Sequence, residues 1–328
     1  MLEVSAHLRE DLFNLHEEVA TRDGFGNALL QLGHDDPRVV VVCADLAEST
    51  RTLPFKEKFP ERYIEAGVAE QNLATVASGL ANYGKIPFIA SYATFSPGRN
   101  NEQIRTTIAI NNVPVKIAGM HAGVSVGPDG ATHQALEDIA LMRILPRMIV
   151  ISPCDAEEAR KATIASAQTP GPVYLRFGRE KMPLMTSPGT PFTIGKAIVF
   201  WESNAPMVAI FATGPLLYNA LCAAKQLEGE IPVVVINVHT IKPLDQGTII
   251  NYAKMAGAVV TVEEHQIAGG LGSAIAELLG GAAPLPIEYI GVHDQFGQSG
   301  TPKELLEHYG MGISHIVSAI RAVKKRRI

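Results

Sequence analysis

The residues of this 328-residue chain that can do acid–base or recognition chemistry gather in a few short segments. In AGVAEQNLATVASGLANYG, Glu70 opens a run of small and apolar residues with helical spacing. A carboxyl there feels two opposed effects: desolvation raises its pKa, whereas the positive end of a helix favours the anion. Such a group can share a proton with a bound heterocycle. On position alone, a first-turn glutamate that only complements the helix dipole is the simpler account. Further on, GMHAGVSVGPDGATHQALED places His121, Asp129, Thr132 and His133 in a glycine-rich loop after the segment PVKIAG. Loops at the C-terminal ends of parallel strands are where such sheets bind ligands, so these groups should face a crevice. Taken singly, Pro128-Asp129-Gly130 is also a plain turn, and a lone histidine is often a satisfied structural group. Arg22, in VATRDGFGNALL, and Arg176, ending PVYLRF, supply forked donors suited to a phosphate, with solvated surface charge as the plainer alternative.

These residues need a scaffold, and the apolar pattern supplies one. Short β-branched runs, VVVVCA (39–44), PFIASY (87–92), VPVKIAG (113–119), MIVISP (148–153) and PVYLRF (172–177), alternate with helical patterns such as 68–82 and 155–167. That alternation predicts a parallel sheet with right-handed helical crossovers. Asp155 and Glu158 form a capping-box signature for the helix that follows Pro153. The stretch KMPLMTSPGTPFTIGK, 181–196, has the composition of an interdomain linker. The βα rhythm then resumes, with strands MVAIFA, VVVIN, AVVTVEE and IEYIGV and helices near 215–226, 245–256, 270–279 and 302–323. The expected architecture is therefore α/β, with two domains of mainly parallel sheets, residues 1–184 and 192–328. The GGLG at 269–272 does not fit the dinucleotide fingerprint and reads as a tight helix start.

Composition narrows the function classes. A net charge of -5 offers no field for nucleic acid or an anionic membrane. The closing KKRR suits the negative end of a helix. Cys43, Cys154 and Cys222 show no CxxC spacing, which fits buried thiols in a reducing compartment and gives no metal cluster. The opening twenty residues mix charged with apolar side chains at helical spacing and lack the apolar core of a signal peptide. No later apolar run approaches the roughly 20 residues that span a bilayer. The expectation is a soluble, cytoplasmic protein.

Taken together, ADLAEST, AGVAEQNLATVASGLA, GPDGATHQALEDIALMRILP and EEHQIAGGLGSA resemble the pyrimidine-binding and C-terminal domains of transketolase, and the likeness runs over almost the whole chain. The resemblance implies thiamine diphosphate as cofactor. It makes Glu70 the carboxyl beside the aminopyrimidine ring, makes Tyr92 and Phe95 two of the aromatic residues packing that ring, and puts Asp45 near the cofactor. The third aromatic is absent, since SPGR follows Phe95. It assigns Asp129 and His133 to sugar hydroxyls, and Arg22, Ser49, His121 and Arg176 to the terminal phosphate of a phosphorylated sugar. Pro128 and Ala131 depart from the acidic residue and proline usual there, which touches substrate choice. The GDG motif with its distant asparagines, which grips magnesium and diphosphate in that family, does not occur. The resemblance thus implies an N-terminal partner subunit carrying the diphosphate site and the Mg2+ ligands, in an α2β2 assembly, with this chain alone dimerising without turning over. Ketol transfer between sugar phosphates is the leading reading. Deoxyxylulose-phosphate synthesis, a 2-oxo-acid dehydrogenase β-like role and a non-catalytic subunit of the same fold are the alternatives.

Overall fold

The computed structural model describes residues 1–14 and 17–327. In chain order, the first part contributes β1 (Glu18–Ala20), β2 (Val39–Cys43), β3 (Tyr63–Glu65), β4 (Ile86–Tyr92), β5 (Lys116–Met120), β6 (Ile149–Ile151), β7 (Val173–Arg176) and β8 (Lys181–Pro183). The second contributes β9 (Ile198–Glu202), β10 (Val208–Ala212), β11 (Val233–Asn237), β12 (Thr240–Lys242), β13 (Val259–Gln266) and β14 (Ile287–Val292). Two mainly parallel sheets result: seven strands in the order β12-β6-β7-β5-β4-β2-β3, and five in the order β14-β13-β10-β11-β9. Helices cover both faces of the first sheet, so a strand such as Val39–Cys43 is buried at every position and reads as an unbroken apolar run. No helix among the described residues is long and apolar enough to cross a membrane.

The two parts are sewn together more closely than a linker implies. β12 leaves the second part and pairs antiparallel with β6, completing the edge of the first sheet. The proline-rich stretch is itself partly ordered into a ladder, β8 pairing antiparallel with β1. Asp155 caps the helix Ala156–Ala167 by accepting from Glu158 N at 2.9 Å, but Glu158 does not close the expected box. Its carboxylate accepts instead from Cys154 N and from Asn237 Nδ2 of β11, each at 2.7 Å, and so ties the parts together. The pattern over 302–323 yields two helices, Pro302–His308 and Ile313–Lys324, because Gly310 at φ 74° turns the chain between them. The first twenty residues, helical in spacing, form only the short 3-10 turn Val4–Ala6 and β1 among their described positions. At the GGLG segment, the buried Glu263 carboxylate accepts from Leu271 N and Gly272 N and holds the start of the helix Leu271–Ala282.

Candidate functional site

Four adjacent parallel strands, β2, β4, β5 and β7, deliver their C-terminal ends to one edge of the seven-stranded sheet. Every sequence-predicted site residue except Glu70 and Arg22 follows one of these strands or ends it. Glu70 is the first residue of the helix Glu70–Asn82, and Arg22 lies in the first turn of the helix Thr21–Asp35.

Glu70 is 2 % exposed, and its Oε2 accepts from Arg99 Nη1 at 2.9 Å. Asn100 Nδ2 holds the backbone carbonyl of the same residue. After β4 the chain coils, with Phe95 N donating to Tyr92 O and Arg99 N to Phe95 O. Spacings of three and four residues then bring Tyr92, Phe95 and Arg99 onto one side. The Arg99 guanidinium lies 4.4 Å over the Phe95 ring, so one cation caps an aromatic face and neutralises the buried carboxylate. Sequence reasoning missed Arg99; the Phe95-x3-Arg99 interval was the available signal.

The Tyr92 ring stacks on His121 at 4.0 Å and lies 6.0 Å from the Phe95 ring, while His133 meets Phe95 edge-on at 5.3 Å. His133 Nδ1 pairs with the Thr132 hydroxyl. His121 is 2 % exposed and held at φ 55°. Its Nε2 lies 3.4 Å from Arg22 Nη1, and since a guanidinium only donates, Nε2 is the bare nitrogen and Nδ1 carries the proton. Burial, then Arg22, Arg179 and Arg51, push the His121 pKa down to about 3, so the ring is neutral. Burial, and next Arg51, also lower the pKa of Arg22. Among the described residues, buried His121 Nδ1 and Arg22 Nε have no hydrogen-bond partner. Two unpaired buried donors, one on His121 and one on Arg22, with the Arg51 and Arg179 guanidiniums acting on them, form a surface prepared for an anionic oxygen.

The structure separates some residues that the sequence grouped. Ser49 is present through its backbone, its carbonyl accepting from Arg22 Nη1 at 3.0 Å. Asp45 stands exposed beyond β2 at φ 58°, its amide donating to Glu65 Oε1. Arg176 is corrected most clearly. It is 4 % exposed and forks onto Asp138 at 2.8 and 3.3 Å, while its Nη2 also donates to Glu264 O at 2.8 Å. Burial alone would raise the Asp138 pKa, but Arg176 holds it below the usual carboxylate value. A guanidinium so committed is not displayed for a phosphate. Arg179, three residues later and past the end of β7, is less committed: it is part of the field on His121 and lies 3.4 Å from Asp129. Both arginines stand in LRFGRE, and only the tertiary packing shows which one reaches the edge.

Comparison with known proteins matches residues 17–185 to the family model "Transketolase, pyrimidine binding domain" and residues 198–316 to "Transketolase, C-terminal domain". The 6-deoxy-6-sulfo-D-fructose transketolase subunit SqwH of Clostridium sp. is 38% identical, covering 95% of this chain and 96% of that one. A protein named as a transketolase C-terminal section, from Methanocaldococcus jannaschii, is 40% identical over 93% of this chain and 96% of its own length. Against rat transketolase, the chain is 35% identical over 95% of its length but spans only 50% of that relative. The solved structure described as "Split gene transketolase, inactive beta4 tetramer" superposes with a TM-score of 0.88 at 44% identity, covering 94% of this chain and all of that one.

Proposed function

The chain belongs to the transketolase family, and from that premise we propose that it is the C-terminal subunit of a split, thiamine-diphosphate-dependent transketolase, moving a two-carbon ketol unit from a ketose phosphate to an aldose phosphate. One observation carries the reading: a buried carboxyl, a set of flat rings and an arginine–histidine anion surface run contiguously along one sheet edge. The residues fit the cofactor's pyrimidine end, for Glu70 is a dry carboxyl and Phe95 offers a flat face that already attracts a planar cation. When bound, thiamine diphosphate supplies the electron sink that lets a ketose carbon–carbon bond break beside its carbonyl.

This chain's share is binding, orientation and proton placement. Glu70 holds or releases a proton at its carboxyl, and Arg99 must leave that carboxyl or share it when a ring docks. Asp129 and His133 orient sugar hydroxyls, Arg22, His121 and Arg179 take the terminal anion with the Ser49 carbonyl holding Arg22 in place, and Asp45 lies near the cofactor. The neutral His121 donates through Nδ1 without adding charge. Mg2+ and the diphosphate belong to an N-terminal partner, in an α2β2 assembly, and rat transketolase's twofold greater length leaves room for that domain. The sulfo-sugar relative suggests that the same guanidiniums can take a sulfonate.

The test is turnover by the complex with its N-terminal partner, offered xylulose 5-phosphate, 6-deoxy-6-sulfofructose or pyruvate as donor with an aldose phosphate acceptor. Ketol transfer from a ketose is expected. Product from pyruvate alone would overturn the reading in favour of the deoxyxylulose-phosphate alternative, and turnover with none of them in favour of a non-catalytic subunit.

A further inference from the structure

We propose that Glu264, on β13 in the second part of the chain, is a positioning residue that clamps the ligand loop 121–135 of the first part. The inference deepens the proposed function, on which the sugar-binding role of that loop rests. The loop is glycine-rich and carries positive φ at His121, Gly123, Gly127 and Gly130, a backbone that does not hold itself in place. It presents His121, Asp129 and His133 together, so sugar binding that needs all three gains from having the loop ordered beforehand.

Besides the hydrogen bond from Arg179 Nη1 to Val126 O at 2.9 Å, three sets of contacts supply that order, and each involves a residue of the second part. Glu264 is 3 % exposed, and its Oε1 accepts from Ser125 N at 2.6 Å. The carboxyl also presses on Gly123, where an added Cβ would fall 2.3 Å from the same oxygen, so glycine and glutamate are matched there. Arg176 Nη2 donates to Glu264 O at 2.8 Å and to Ala135 O at 3.3 Å, tying the loop's far end to the same strand. Gln134 Nε2 donates to Val124 O inside the loop and to Gln298 O of the second part, each at 3.0 Å. Gly123 N donating to Ala135 O at 3.0 Å closes the loop's base between these anchors. The buried ion pair of Arg176 thereby acquires a use: it stiffens the frame that aims the anion-binding histidine.

The clamp is tested with Glu264→Ala, Glu264→Asp and Glu264→Gln in the full chain, by hydrogen exchange on the chain itself and by steady-state kinetics of the complex with its partner. Loss of the carboxyl, or shortening it by one methylene, should speed exchange at Ser125 and through 121–135 while the helix Leu217–Gln226 keeps its protection. In the complex, KM for the ketose phosphate should rise about ten- to a hundred-fold, the loss of a charge-assisted hydrogen bond, with kcat changed far less. Glu264→Gln keeps a carbonyl oxygen for Ser125 N and should restore most of both. Should the wild-type complex transfer no ketol unit, the functional reading fails, and the exchange measurement still decides the clamp. Unchanged exchange at 121–135 in Glu264→Ala and Glu264→Asp overturns it, as does a Glu264→Gln variant impaired as badly as Glu264→Ala.

Discussion

Removing the two arginines of LRFGRE in turn should damage different properties. Arg176→Met strands the Asp138 carboxylate, 1 % exposed, with the Tyr174 hydroxyl as its remaining side-chain donor among the described contacts. Breaking a buried pair from one side costs about 3–5 kcal/mol, because the surviving charge is left desolvated. At about 2–4 °C per kcal/mol for chains of this order of size, the melting temperature should fall by about 6–20 °C. Adding Asp138→Asn should recover much of that loss, since the stranded charge disappears while Tyr174 keeps an acceptor. Arg179→Ala removes an ion pair with Asp129 whose side chains are 33% and 35% exposed, worth about 0–1 kcal/mol to stability, and a hydrogen bond from Nη1 to Val126 O at 2.9 Å, worth about 0.5–1.5 kcal/mol. In the complex, however, it deletes a guanidinium from the anion surface, and a charged hydrogen bond of about 1.5–3 kcal/mol corresponds to a rise in KM for phosphorylated donors of about 10- to 100-fold. Urea and thermal unfolding of the chain, with kinetics on phosphorylated and unphosphorylated donors, separate the two effects. An Arg176→Met chain of undiminished stability that loses only its preference for the phosphate would refute this division of labour.

Glu70→Gln should lower kcat of the complex by about 10²- to 10⁴-fold, the range of a positioned acid–base group, with assembly by size-exclusion chromatography unaffected; full activity would remove Glu70 from the site. Burial pushes the His239 pKa from 6.5 down to about 3, and burial and Arg22 do the same to His121. The unfolded chain takes up these protons near 6.5 and the native chain does not, so stability is fully present above that pH and is lost as pH falls from it towards 3. His239→Gln, which also loses the stacking on Phe192, should therefore show a lower urea midpoint at pH 7 but a shallower fall on acidification; an unaltered slope contradicts the assignment. Gly24→Ala puts a Cβ 1.9 Å from Ala156 O where two helices cross, and should cost about 1–3 kcal/mol by denaturant titration.

Much of this molecule is legible in its apolar rhythm. Runs such as VVVVCA and PFIASY are long enough to be strands and too uniformly apolar to face water, which fixes a parallel sheet and with it the edge where Glu70, Tyr92, Phe95, His121 and His133 meet. What escaped is what local pattern does not encode. Arg176 and Arg179 look alike in sequence; only the tertiary contacts of Arg176 with Asp138 and with the Glu264 carbonyl of β13 make the first a buried ion-pair partner, while the second stays part-exposed. The Arg99–Glu70 pair joins residues 29 apart, and the Phe95-x3-Arg99 interval hints at where Arg99 points but not at the carboxyl it meets. β12 is a three-residue strand that completes a sheet nearly ninety residues upstream, and so short a pairing leaves no trace in composition. The role of the second part was not legible at all, because it lies in single contacts, Glu264 to Ser125 and Gln298 to Gln134, across a long sequence separation.

On the proposed function, this chain supplies only the pyrimidine half of the cofactor site. Calorimetric titration of thiamine diphosphate with Mg2+ into the isolated chain and into the complex with its N-terminal partner, each followed by a ketol-transfer assay, tests that directly. The account predicts tight binding and turnover for the complex and neither for the chain alone. Tight binding with sugar exchange by the isolated chain would contradict it.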